Sequence, residues 1–75
     1  MFCYELKVDG MKCGMCEAHV NDLIRKEYNN AKKVKSNHKN NLTSFCIKET
    51  INEEELKKKV ENLGYRVKEI VVWEK

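Results

Sequence analysis

The chain has 75 residues, which is the size of a single domain spanning residues 1–75 and is too short for a deep substrate cleft with a lid. A multi-step enzyme is therefore not expected. Hydrophobic residues make up 41% and charged residues 36%, and the net charge is +3; this composition predicts a folded domain, and so weak a positive charge does not indicate nucleic acid as a partner.

An alternating segment and a helical segment open the chain. In residues 2–8 apolar and polar side chains alternate, which predicts a half-buried strand. Residues 14–28 predict an amphipathic helix, because apolar residues recur every three or four positions. These apolar residues are Cys16, Val20, Leu23 and Ile24. Asn29 and Asn30 are expected to end the helix, since Asn tolerates the left-handed conformation common at helix ends.

Three strands and a second helix are predicted in the rest of the chain. Residues 31–37 and 42–48 predict strands joined by a polar hairpin turn at 38–41, and the last strand is expected over residues 65–72. The second helix is predicted between the strands at 42–48 and 65–72, and it is the best-defined element.

The second helix carries clear signals at both ends. Asn52 is predicted to cap its N-terminus, with Glu55 reaching back to the cap. Gly64 is predicted to cap its C-terminus. The buried stripe is expected to consist of Leu56, Val60 and Leu63.

The order strand, helix, strand, strand, helix, strand predicts an α+β domain with the ferredoxin-like βαββαβ arrangement. In this arrangement two helices cover one face of a four-stranded antiparallel sheet and the other face stays open. No apolar run is long enough to span a membrane, and the segment MFCYELKVDG lacks the pattern of a signal peptide. The expected location is therefore the cytoplasm, where thiols are kept reduced.

The segment GMKCGMC, residues 10–16, lies between the first predicted strand and the first predicted helix. Cys13 and Cys16 are three positions apart where a loop enters a helix, so both sulfurs can point at one atom. The free N–H groups of a helix N-terminus favour negative charge, which promotes the thiolate form, most strongly at Cys16. A thiolate either binds a metal or attacks a disulfide.

Two thiolates suit a soft ion of low coordination number, and Cu(I) is the natural candidate. Zn(II) normally takes four ligands, and the chain has no second Cys or His pair at zinc spacing. Zn, Cd and Hg stay open as alternatives, because two thiolates bind most soft ions. A thiol–disulfide redox protein is a further alternative. A thioredoxin-like enzyme would need a cis-proline facing its CxxC, and this chain has no proline.

The chain resembles the heavy-metal-associated domains, and among them most closely the small bacterial copper chaperones. The specific match is Gly10, Met11, Cys13 and Cys16. The remaining matches lie in the two helices and just after the second: Val20, Ile24, Leu56, Val60, Leu63, Gly64 and Tyr65. The resemblance implies that Cys13 and Cys16 are the metal ligands, that Met11 packs inward, and that Tyr65 lies near the metal.

The resemblance also implies a function: a soluble Cu(I) carrier without catalytic turnover that passes its ion by ligand exchange. The implied partner is the metal-binding domain of a copper-transporting P-type ATPase or a copper-sensing repressor, with no nucleic acid and no membrane. A monomer is implied, with a metal-bridged dimer as the alternative. Lys12 and the run Lys57–Lys59 differ from the acidic surfaces of many bacterial members and leave the partner's identity open.

Four further residues are candidates for chemistry. His19 lies one helical turn after Cys16 and is a candidate third ligand, with a solvated helix histidine as the alternative. His38 is interpreted as a turn residue, far along the chain from the motif. By strand alternation Cys3 and Cys46 fall on the open face, where antiparallel pairing would make them cross-strand neighbours. The alternative is that they are two small strand residues that never meet.

Overall fold

The computed structural model describes residues 1–75, and its elements follow the predicted order. The elements are β1 (Phe2–Asp9), α1 (Gly14–Glu27), β2 (Lys32–Asn37), β3 (Leu42–Ile47), α2 (Glu53–Glu61) and β4 (Arg66–Glu74). The strands form one antiparallel sheet in the order β2-β3-β1-β4. The ferredoxin-like α+β fold is therefore confirmed. Neither helix has the length and apolar content needed to cross a membrane.

The core lies between the helices and one face of the sheet. Alternate residues of the central strand β1 enter it, as the alternation predicts, and they meet the apolar stripes of both helices. The side chains on these three elements with no exposed surface are Leu6, Val8, Val20, Ile24, Leu56 and Val60. Each such side chain stabilises the fold by about 1.5–3 kcal/mol relative to an exposed one, so their packing holds the elements that carry the motif.

The two ends of α2 differ partly from the prediction. Asn52 caps the helix through its side chain, which accepts a hydrogen bond from the Glu55 N–H at 3.1 Å. The Glu55 carboxylate does not return to the cap; it pairs with Lys59 at 2.9 Å, one turn along the helix. Gly64 adopts a φ of +100°, as a C-terminal cap requires. The prediction that Leu63 is buried is wrong: the helix ends at Glu61, and Leu63 is 42% exposed in the turn that follows.

The end of α1 also differs from the prediction. The helix stops at Glu27, and neither Asn29 nor Asn30 adopts the left-handed conformation. Tyr28 closes the helix instead: its N–H donates to the Ile24 carbonyl at 2.8 Å, and its ring stacks on Phe45 with centroids 6.2 Å apart. Packing of this aromatic ring against the sheet therefore replaces an Asn cap. The left-handed asparagine is Asn41, in the turn between β2 and β3.

Candidate metal centre

The loop that carries the motif is fixed in place where it leaves β1. Gly10 has a φ of +105°, which disfavours any other residue there, and an added Cβ would lie 3.4 Å from the Tyr65 ring. Met11 is buried among the core residues, as expected from the sequence. The turn at Gly10 and the anchor at Met11 fix where the chain enters α1.

Cys13 and Cys16 lie at the start of α1. Cys13 is the residue before the first helical turn, and its carbonyl accepts the N–H groups of Cys16 and Glu17 at 3.1 and 3.3 Å. Both thiols are free; Cys13 is exposed and Cys16 is half-buried. Their sulfur atoms are 4.0 Å apart. Metal–thiolate bonds are about 2.3 Å long for zinc, so one soft ion can reach both sulfurs.

The surroundings of Cys16 favour its thiolate. The pKa of Cys16 is lowered to about 7, first because the Lys12 backbone N–H donates a hydrogen bond to the sulfur, and then because the Tyr65 hydroxyl does so. The same contact with Cys16, together with burial, raises the pKa of Tyr65 to about 12. The thiolate of Cys16 is therefore more accessible near neutral pH than that of an ordinary cysteine, and a thiolate is the form that can bind a soft metal.

A contact that the sequence did not reveal holds the first turn of α1. The Glu17 carboxylate accepts the backbone N–H of His38 at 2.7 Å and lies 2.6 Å from its Nδ1. The prediction that His38 lies in a turn is confirmed. This turn is far from the motif along the chain, and the fold brings it against the first turn of α1. No periodicity could have shown this contact, because it joins a helix start to a distant hairpin turn.

The other candidate ligands do not join the two sulfurs. No group of three or more His, Cys, Asp or Glu side chains is arranged to hold a metal ion. His19 is exposed and lines a shallow groove with Leu23 and Leu63. Met15, between the two cysteines of the motif, is exposed. The sulfurs of Cys13 and Cys16 thus form a pair with no third candidate ligand arranged beside them.

Cys3 and Cys46 are cross-strand neighbours, as one of the two sequence interpretations held. They face each other in the pairing of β1 with β3 and are joined by a disulfide. This pair is separate from the motif, because Cys3 lies at the start of β1 and the motif follows the end of that strand.

No protein-family model matches the sequence, and no curated protein matches it either. Solved structures do share its fold. The CopZ metallochaperone is 24% identical, with a TM-score of 0.74 over 87% of this chain and 97% of its own. A copper-binding domain from HMA7, a P-type ATPase, is 20% identical, with a TM-score of 0.74 over 99% and 96%. A yeast copper transporter domain, CCC2A, solved in apo and Cu(I)-loaded states, is 18% identical, with a TM-score of 0.76 over 99% and 97%. The resemblance to heavy-metal-associated domains is thereby confirmed for the fold.

Proposed function

We propose that this protein is a carrier of Cu(I), which it binds as cargo through the thiolates of Cys13 and Cys16. The observation that carries the proposal is the pair of free sulfurs 4.0 Å apart at the start of α1, with the pKa of Cys16 lowered to about 7. Soft thiolates in a low-coordinate site select Cu(I) over harder ions. The fold that this chain shares with the CopZ metallochaperone supports a metal as cargo, and the fold shared with a transporter domain solved in a Cu(I)-loaded state supports Cu(I) as that metal.

Transfer of the ion follows from the incomplete ligand set. Two sulfurs leave room for a third, so a thiolate from a partner can add before one of the original ligands leaves. Cys13 is the more exposed sulfur and is the first to meet the partner. The exchange moves an ion between thiolates without oxidation or reduction, and in this proposal the protein is not an enzyme.

The proposed partner is the metal-binding domain of a copper-transporting P-type ATPase, with a copper-sensing repressor as the second possibility. The shared fold with a P-type ATPase domain supports the first, because two domains of one fold can present their thiolates to a shared ion in the same way. Residues 1–75 act in this proposal as one cytoplasmic domain and as a monomer, with a metal-bridged dimer as the alternative.

The experiment is an anaerobic titration of the reduced protein with Cu(I) against a competing Cu(I) chelator. One tight equivalent is expected, and it is lost in both Cys13→Ser and Cys16→Ser. The control is Cys3→Ser/Cys46→Ser, which removes two cysteines outside the motif and is expected to keep full binding. Weak binding, or binding that survives both single substitutions, would overturn the proposal, and competition with Zn(II), Cd(II) and Hg(II) tests the choice of ion.

A thiol–disulfide redox function is the second candidate, because a thiol pKa near 7 is also typical of redox-active CxxC motifs. Reduction of insulin by the dithiol form distinguishes the two functions. The carrier function predicts a rate no greater than that of a small free dithiol at the same concentration.

A further inference from the structure

A second pair of cysteines lies on the face of the sheet away from the helices, some 20 Å along β1 from the motif. Cys3 and Cys46 are directly opposite each other in the two central strands, with Cα atoms 4.0 Å apart. The register of β1 on β3 places the two cysteines opposite each other.

The disulfide borders a groove of about 280 Å³ on this face. Trp73 of β4 lies opposite Cys3 and forms one wall. Three lysines and one glutamate provide the charges that line the groove: Lys33, Lys35, Lys75 and Glu5. The groove is therefore cationic and is suited to a small anionic ligand.

The position of Lys33 is unusual for a lysine. Strand β2 carries an extra residue between Lys32 and Lys35, and Lys33 there has a φ of +55°, in the left-handed region that side chains disfavour. This bulge lies alongside Cys46, which pairs with Lys32. A strained residue that lines the groove is a reason to look for a ligand there.

We propose that Cys3 and Cys46 form a reversible dithiol–disulfide site whose reagent is a small anionic thiol of the glutathione class. Cys46 is 7% exposed and Cys3 1%, so the external thiolate attacks the Cys46 sulfur. The bond between the two cysteines breaks, and Cys3 leaves as a thiolate that takes a proton from water. The lysine ammonium groups attract the carboxylates of the reagent to this sulfur.

A second small thiol completes the reduction. It attacks the sulfur of the first, now held in a mixed disulfide with Cys46, and releases the small-molecule disulfide and the Cys46 thiolate. Two small thiols supply the two electrons that reduce the protein. In the reverse direction the small-molecule disulfide is the oxidant, and Cys3 resolves the mixed disulfide.

The test uses Cys13→Ser/Cys16→Ser, in which Cys3 and Cys46 are the remaining thiols, so its outcome does not depend on Cu(I) carriage. The protein is equilibrated with defined mixtures of reduced and oxidised glutathione, and its free thiols are counted by mass spectrometry after acid quenching. Trp73, the single tryptophan, gives a second readout, because a neighbouring disulfide quenches indole fluorescence. Interconversion across millimolar mixtures is expected. A disulfide that survives millimolar reduced glutathione, or one that oxidised glutathione cannot form, would overturn the proposal.

Charge reversal tests the class of reagent. In Lys35→Glu/Lys75→Glu the rate of reduction by glutathione is expected to fall about three- to tenfold at low ionic strength. The fall is expected to be smaller for 2-mercaptoethanol, whose attacking thiolate carries a single negative charge and no carboxylates. The control Lys57→Glu/Lys58→Glu makes the same change in net charge on the exposed face of α2 and is expected to leave both rates unchanged. Equal rates of reduction by glutathione in the two variants would overturn the proposal that the reagent is an anionic thiol.

Discussion

The carboxylate of Glu17 makes two hydrogen-bond contacts with His38. It accepts the backbone N–H of His38 at 2.7 Å, and it lies 2.6 Å from the ring Nδ1 of the same residue. Glu17 follows Cys16 directly, and His38 lies in the turn between β2 and β3. The first turn of α1 is thus tied to a hairpin that is distant in sequence. This contact restrains the helix start from which both motif cysteines project.

Glu17→Gln is expected to alter the acid limb of the stability curve. Hydrogen bonds from His38, first from its backbone N–H, hold the pKa of Glu17 below its ordinary value of 4.5 in the folded protein. A lowered folded pKa contributes stability that is present above pH 4.5 and is lost as the pH falls through the folded pKa. Urea unfolding between pH 3 and pH 7 should therefore show a higher free energy of unfolding for the wild type than for Glu17→Gln at neutral pH. This difference should disappear in acid. Glu74→Gln, at the exposed end of β4, is the control, and a gap that does not change with pH would contradict the role given to this carboxylate.

Tyr65→Phe is expected to raise the pKa of Cys16 above about 7, because the hydroxyl that stabilises the thiolate is removed. Residue-specific alkylation by iodoacetamide, followed by mass spectrometry across pH 5–10, measures this pKa. The midpoint for Cys16 should move to higher pH and its rate at pH 7 should fall several-fold.

Tyr28→Phe supplies the matched control for this measurement, since it removes the same hydroxyl from the end of α1 that is remote from the motif. It should leave the Cys16 midpoint in place. An unchanged midpoint in Tyr65→Phe would contradict the role given to the hydroxyl and leave the hydrogen bonds from Lys12 and Cys13 as the cause of the lowered pKa of Cys16.

Two leucines that the sequence treats alike should respond differently to truncation. Leu56 is fully buried and Leu63 is 42% exposed. Leu56→Ala is therefore expected to destabilise the domain by about 2–5 kcal/mol through lost burial and a cavity. Leu63→Ala should cost less than about 1 kcal/mol. Urea denaturation of both variants compares them directly, and similar losses would place Leu63 in the core after all.

These leucines show where sequence reasoning succeeds and where it stops. Alternation in β1 and the three-to-four spacing in α1 report which side chains face the core, so they predict the elements and the position of Cys13 and Cys16 between them. The same spacing cannot show that α2 ends at Glu61, because the end depends on the turn at Gly64 and on competing contacts.

Contacts between segments that are distant in the sequence are harder to predict than the ends of a helix. The register of β1 on β3 could be inferred from topology, and it brought Cys3 and Cys46 together as one interpretation held. The pairing of Glu17 with His38 depends on how α1 crosses the sheet, and Tyr28 ends α1 through its packing on Phe45. Both are set by tertiary geometry that no local pattern records.

The disulfide between Cys3 and Cys46 should stabilise the oxidised protein against unfolding. It closes a loop across a sequence separation of 43 residues, for which the loss of unfolded-chain entropy is worth about 4 kcal/mol. Urea unfolding of the oxidised protein and of Cys3→Ser/Cys46→Ser should differ by that order. The difference should nearly vanish in dithiothreitol; a gap that persists there would mean that the serines damage the folded state itself.

The central claim is that Cys13 and Cys16 together hold the ion. Its most direct test is the copper K-edge X-ray absorption spectrum of Cys3→Ser/Cys46→Ser loaded anaerobically with one equivalent of Cu(I). In this variant the motif supplies the only thiols. Binding by both thiolates predicts the edge of Cu(I) and a first shell made of two sulfur atoms. A first shell that contains nitrogen would assign a histidine to the ion, and a first shell with a single sulfur would mean that only one of the two cysteines binds it; either result would contradict binding by the pair.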